Sequence, residues 1–301
     1  MTESTAPTPA DERHGIVVGI DGSPASNTAL AWAAERTGRF GALRPVHVWN
    51  YPMSAFTPVP FGAAPVPPID EMEAAARDAA NACLAELGAV DHEPTDVRRG
   101  DPGTVLVDVA RDAELLVVGT RSRGPVRSNV IGSVGRHCAD HSPVPLVVVP
   151  HRDAPVPPAP SERIVVGVDG SDLSVKALRW ALSHASEDAE VSAVTAWQTP
   201  VDGPLMLGYT RFDIRALKGA ARSVVNEAAD KVCAELGFPE DRIIRQIAEG
   251  DPRWVLQSRS DVSDLLVLGQ RGRTGIPHFF LGSTTTALIH RPHCPTAVIP
   301  G

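Results

Sequence analysis

Two stretches of this chain set glycine, serine and arginine at a spacing suited to gripping an anion. Gly119-Thr120-Arg121-Ser122 is followed, across nine residues, by Gly132-Ser133, and Gly269-Gln270-Arg271-Gly272 is followed by Gly282-Ser283 at the same spacing. Glycine just after an apolar run lets backbone N–H groups approach a ligand with no Cβ in the way. A Gly-Ser pair that opens a helix adds the unpaired N–H groups of the first turn, where the dipole favours negative charge. The serine hydroxyl is one more donor. Arg121, Arg123, Arg271 and Arg273 flank the cradles, either as neutralisers of phosphate charge or as solvated loop residues. Asp21 and Asp169 each close an earlier apolar run. They suit a ribose hydroxyl or a phosphate-bound Mg²⁺, or else a turn before the Gly-Ser that follows.

Both stretches belong to a duplication that spans the chain. Val18-Gly19-Ile20-Asp21-Gly22-Ser23 returns as Val166-Gly167-Val168-Asp169-Gly170-Ser171, and Gly100-Asp101-Pro102 returns as Gly250-Asp251-Pro252. Leu115-Leu116-Val117-Val118-Gly119 returns as Leu265-Leu266-Val267-Leu268-Gly269. Solenoid repeats have periods of roughly 20–50 residues, so a repeat of half the chain is a duplicated domain. The 301 residues suffice for two domains with a core each. Residues 1–13, rich in Thr, Pro and Ala, read as a disordered tail. The first domain then covers 14–150, a stiff proline-rich linker 151–162, and the second domain 163–301.

The elements that must position these residues alternate between strands and helices. In the first half, apolar strands are expected at 15–20, 43–48, 115–118 and 146–149 and a short strand near 95–99, with helices at 24–36, 70–87, from 102 to about 111, and 133–140. Strands apolar throughout and separated by helices make a parallel sheet covered on both faces. The expected fold is therefore α/β: two doubly wound, Rossmann-like, five-stranded domains in tandem, with strand order 3-2-1-4-5. Ligands in such sheets bind where the order reverses, between the strands that end at Asp21 and Gly119.

Composition narrows the function. A net charge of -8 argues against a non-specific nucleic-acid surface but not against an anion held by backbone N–H groups. No apolar run approaches the roughly 18 residues of a membrane span, and the first residues lack a signal-peptide core, so the expected location is the cytoplasm. Cys83, Cys138, Cys233 and Cys294 form no CxxC pair and read as buried, reduced thiols. The groups His137, Cys138, His141 and His290, His293, Cys294 fit no zinc spacing and do not align between the copies, so no metal site is expected. Lysine occurs only at 176, 218 and 231, which leaves the first half without a phosphate-gripping lysine.

The glycine spacing, the Val-Gly-Ile-Asp strand and the closing Pro-x-Val strands resemble the universal stress protein family, in its tandem two-domain form. The resemblance covers nearly the whole chain apart from the tail and linker. It implies an ATP site, with or without Mg²⁺, in which the glycine loop holds the triphosphate, the first-strand Asp contacts the nucleotide and the end of the second strand presents backbone to adenine. By position it implies Gly19, Asp21, Val48, Gly119, Gly132, Ser133 and Val134 in the first half. In the second it implies Gly167, Asp169, Ala196, Gly269, Gly272, Gly282, Ser283 and Thr284. Ser122 departs from the pattern by standing where the family has its second glycine. A left-handed backbone there would make serine costly and the first site weaker.

The expected function is an adenine-nucleotide-dependent switch or sensor acting on an unknown protein partner. A slow ATPase or phosphotransferase is the alternative, as is a protein that binds cyclic AMP. Phosphoryl transfer wants a positioned base and charge neutralisers, and no Gly-x4-Gly-Lys-[Ser/Thr] occurs. A receiver domain would want an acidic pair after the first strand, where Asp21 is followed by Gly22-Ser23. The apolar last strands, 146–149 and 297–299, are expected at sheet edges that would pair the halves as an intrachain pseudo-dimer, with homodimer formation open as well.

Overall fold

The computed structural model of the chain describes residues 15–50, 68–88, 90, 92–120, 130–151, 161–199, 213–272 and 281–301. The tail at 1–13 and linker residues 152–160 lie outside these. Two compact units divide the chain, residues 1–151 and 152–301. In the first, five strands follow β1 (Ile16–Ile20), β2 (Leu43–Trp49), β3 (Asp96–Arg99), β4 (Leu115–Gly119) and β5 (Leu146–Val149). They pair in parallel in the order β3-β2-β1-β4-β5. The connecting helices are α1 (Pro24–Ala34), α2 (Thr37–Phe40), α3 (Ile69–Leu87), α4 (Pro102–Val109) and α5 (Ser133–His141).

The second unit repeats the plan with β6 (Arg163–Gly167), β7 (Glu190–Trp197), β8 (Ile243–Glu249), β9 (Leu265–Gly269) and β10 (Thr296–Ile299). Their parallel order is β8-β7-β6-β9-β10. Its helices are α6 (Asp172–His184), α7 (Ile214–Leu236), α8 (Pro252–Ser260) and α9 (Ser283–His290). Each sheet is thus doubly wound with order 3-2-1-4-5, as the sequence pattern requires. β-Branched and leucine side chains at the centre exclude water from both faces: Ile16, Val17, Leu115, Leu116 and Val117 are fully buried.

Two details differ from the sequence reading. The helix expected over 24–36 ends at Ala34, and Arg36 turns back so that its guanidinium lies 4.0 Å over the Trp32 ring. The four residues of α2 follow, too short to leave a periodic signal. None of the described helices is long and apolar enough to cross a membrane.

The recurring polar residues at strand ends build the turns into the helices. Gly22 and Gly170 take left-handed φ of 75° and 83°. Ser23 and Ser171 then cap α1 and α6 by accepting from the backbone N–H of Ser26 and Ser174, each at 3.2 Å. Gly100 and Gly250 have φ of 152° and 137°, and Pro102 and Pro252 open α4 and α8. Asp101 accepts from the Thr104 N–H at 3.0 Å and its hydroxyl at 2.9 Å; Asp251 accepts from the Arg253 N–H at 2.8 Å. The Gly-Asp-Pro repeat is therefore a strand-to-helix device.

The Thr104 backbone and hydroxyl hold the Asp101 carboxyl below its ordinary value, and the Arg253 side chain does the same for Asp251. A depressed carboxylate stabilises the fold above its unfolded pKa, and that contribution fades as pH falls through the folded value. Asp101→Ala should cost about 1 kcal/mol at neutral pH, as N-cap losses do. Urea unfolding of wild type and variant should show this gap narrowing as pH drops below the ordinary carboxylate range, and a pH-independent gap would contradict it.

Candidate functional site

A cavity of about 560 Å³ opens at the carboxyl edge of the first sheet, where β1 and β4 adjoin and the strand order reverses. Gly19, Asp21, Val48, Gly119, Gly132, Ser133 and Val134 all line it. These are all the residues that sequence reasoning assigned to the first site and that lie within the described part of the chain. Arg121, Ser122, Arg123 and Arg273 lie outside it.

Strand register explains why Val48 faces the cavity. The β1–β2 ladder ends at Ile20↔His47, while β2 runs on against β3 through Val48↔Arg98 and Trp49↔Arg99. Gly100 N–H donates to the Trp49 carbonyl at 3.1 Å, so Trp49 turns its backbone polar groups toward β3. Successive residues of a strand alternate edges, so Val48 turns its N–H and C=O toward the side where β1 has already ended. Ala196 repeats this arrangement. The β6–β7 ladder ends at Gly167↔Val194, and Gly250 N–H takes the Trp197 carbonyl at 2.8 Å.

His47 and Thr195, at matching positions, are residues that sequence reasoning missed. The His47 Nδ1 lies 2.9 Å from the Ile20 carbonyl, and the Thr195 hydroxyl donates to the Val168 carbonyl at 2.8 Å. Each satisfies the last carbonyl before the Asp. Polar side chains at one matched place in otherwise apolar strands were the available signal.

Asp21 and Asp169 build the turn considered for them: Asp21 Oδ1 accepts from Ser23 N–H at 3.0 Å, and Asp169 Oδ1 accepts from Ser171 N–H at 3.0 Å and its hydroxyl at 2.6 Å. Asp21 also lines the cavity.

The glycines divide into two groups, which corrects the reading that all of them clear space for a ligand. A Cβ on Gly119 would lie 2.5 Å from the Ala25 carbonyl oxygen, and one on Gly269 would lie 3.0 Å from Leu173 backbone. A Cβ on Gly19 would meet Leu106 at 2.9 Å, and one on Gly167 would meet Leu268 at the same distance. These four serve packing, because neighbouring atoms already fill the missing side-chain space. Gly132 and Gly282 instead sit at the N-caps of α5 and α9 in extended conformation, with no side chain capping the helix. The side-chain-capped helices are α1, α4, α6, α7 and α8. The two that open at the Gly-Ser pairs keep their first-turn N–H groups clear of a capping side chain.

Gly272 has a third reason to be glycine. Its backbone is not left-handed, contrary to expectation, but a Cβ there would lie 2.4 Å from Asp169 Oδ2. Next to it, the Nε of Arg271 is buried and has no hydrogen-bond partner among the described residues. Gly282 N–H donates to the Gln270 carbonyl at 2.9 Å and closes the two ends of the second cradle on each other. Ser283 is exposed and Thr284 half-buried in the first turn of α9.

The cysteine and histidine groups do not converge. Burial pushes the Cys138 thiol up to about 12, and Cys138 faces the interior while the His137 and His141 rings stack outside, 4.4 Å apart. His293 is held between Gln257 and Asp261, and Cys294 is fully buried. Among the described residues no three His, Cys, Asp or Glu side chains gather as metal ligands.

Fold and crevice together make this a tandem doubly wound α/β protein with its candidate site at the switch point. The universal stress protein family model matches residues 12–150 and again 160–300, and the chain belongs to that family. Universal stress protein Rv2005c of Mycobacterium tuberculosis is 28% identical over 299 residues, covering 95% of this chain and 97% of the relative. Rv1996 of the same organism is 29% identical over 309 residues, covering 94% of each chain. A solved universal stress protein from Archaeoglobus fulgidus has the same fold, with a TM-score of 0.64 at 17% identity over 96% of this chain and 99% of that one.

The two glycine groups should separate experimentally. Gly119→Ala should destabilise the nucleotide-free protein by about 1–3 kcal/mol, the usual cost of overpacking. Gly282→Ala, whose nearest contacts would be 3.4 Å or more, should change stability little. Thermal melts of the two variants without added ligand test this; equal losses would contradict the assignment.

Proposed function

We propose that this chain is an ATP-binding regulatory protein with one adenine-nucleotide site in each domain, acting as a switch or sensor on a protein partner in the cytoplasm. The observation that carries this reading is the convergence of three unlike features on one cavity. Val48 presents its backbone, just past the last β1–β2 pair, to a base. Asp21 offers a carboxylate to a ribose, and the uncapped start of α5 at Gly132-Ser133 offers N–H groups to phosphate. The cavity volume falls within the roughly 300–1,000 Å³ usual for ligand sites. Val48, Asp21 and the α5 start have their counterparts in Ala196, Asp169 and Gly282-Ser283. The buried, unpartnered Arg271 Nε is a donor that a phosphate oxygen would satisfy. Mg²⁺ accompanying the nucleotide would be shared between phosphate oxygens and one carboxylate, Asp21 or Asp169, and would neutralise charge there.

Binding without fast turnover fits the side chains present. Of the described residues lining the first cavity, only Asp21 and His47 carry titratable side chains, and both already hold backbone groups of the β1–α1 turn. Neither is disposed as a general base. Calorimetry should find ATP binding that Asp21→Ala and Asp169→Ala each weaken, with ATP turnover below about one per second. Faster turnover abolished by either substitution would make the protein an enzyme. Preference for cyclic AMP over ATP in the same titrations would replace the ligand.

A further inference from the structure

We propose that the second domain holds the tighter of the two nucleotide sites, and that Gly272 sets the difference by letting the loop backbone rest against Asp169. The inference depends on the adenine-nucleotide reading above, and concerns which site fills first.

The carboxylate of Asp169 has little freedom. Oδ1 accepts from both the N–H and the hydroxyl of Ser171, which directs Oδ2 toward Gly272. A Cβ at 272 would sit 2.4 Å from Oδ2 and 3.5 Å from Cγ, so any larger residue must turn the carboxylate or move the loop away. Turning it would break the Ser171 bonds. The matched residue of the first domain is Ser122, and Asp21 Oδ1 is likewise held by Ser23 N–H. A serine at position 272 could not rest against a carboxylate held as Asp169 is, and serine is the residue that the first domain's sequence carries at the matched place.

Two further bonds preorganise the second cradle. Gly282 N–H reaches the Gln270 carbonyl at 2.9 Å, and the Thr285 hydroxyl reaches the Gly269 carbonyl at 2.9 Å. Gly135 occupies the position matching Thr285 and has no hydroxyl to offer. Among the described residues no corresponding bond joins Gly132 to Thr120. A loop ordered before the ligand arrives leaves less entropy to be lost on binding. The buried Arg271 Nε adds a second source of affinity, because desolvating a donor without a partner is unfavourable until an acceptor comes.

The test is calorimetry of the full chain with ATP, for wild type, Gly272→Ser and Ser122→Gly. Wild type should show two classes of site, and Gly272→Ser should weaken the tighter class tenfold or more. Ser122→Gly should tighten the weaker class. A Gly272→Ser variant that keeps the tighter class, or a Ser122→Gly variant that loses it, would overturn the ranking. A ligand-free control uses unfolding midpoints: Gly272→Ser should lower the midpoint in the wild-type background and much less in an Asp169→Ala background. Additive effects in that cycle would overturn the contact even if ATP binds. A coupled cycle with no ATP binding in wild type would instead overturn the nucleotide reading, and the ranking of sites with it.

Discussion

The site depends first on how closely the end of the fourth strand approaches the first turn of the first helix. At Gly119 the β4 backbone lies so near α1 that a methyl group would meet the Ala25 carbonyl at 2.5 Å, and at Gly269 it would meet Leu173 of α6 at 3.0 Å. Strand order makes β1 and β4 neighbours, but neighbouring strands alone do not make a narrow crevice. The glycine draws the turn after β1, which carries Asp21, onto the start of the loop that leads to Gly132-Ser133. Val118 and Val148, paired across β4 and β5, are almost wholly buried and hold that edge in place.

Capping then decides which backbone groups remain for a ligand. Each strand-to-helix turn in these domains could have been closed by a serine or aspartate, and α1, α4, α6 and α8 are closed that way. The helices that start at the crevice begin with glycine. A capping oxygen at Gly132 or Gly282 would occupy the N–H groups that an anion needs. The cost in helix stability is small, since glycine at an N-cap loses only a few tenths of a kcal/mol relative to the best caps.

The fold was almost wholly legible in the sequence, because duplication displayed every strand twice and apolar runs with capped helix starts mark a parallel sheet strongly. Most of the candidate set was legible for the same reason. The reasons behind individual residues were not. Gly119 and Gly272 look alike in the sequence, yet one makes room for a helix turn and the other for a carboxylate, and only three-dimensional proximity separates them. His47 and Thr195 escaped notice because two unlike polar residues at a matched place do not reveal that their partners are main-chain carbonyls of Ile20 and Val168. The helix α2 escaped for want of length.

Duplication also supplies an internal control on what the fold itself demands. The residues kept in both halves, such as Asp21 and Asp169, the turn glycines and the Gly-Ser helix starts, form the crevice; the residues that differ adjust it. Gly135 against Thr285 and His47 against Thr195 lie beside the cradle: Gly135 and His47 line the first cavity, and Thr285 and Thr195 bond the matching main chain of the second domain. Differences of that kind alter how tightly a ligand is held and how far the loop is ordered beforehand. Binding free energy that is not directed at a transition state can still shift a conformational equilibrium, by as much as the ligand discriminates between the two states. On the function proposed above, two cradles that differ in closure would fill at different ligand concentrations, and the chain would respond over a wider range than one site covers.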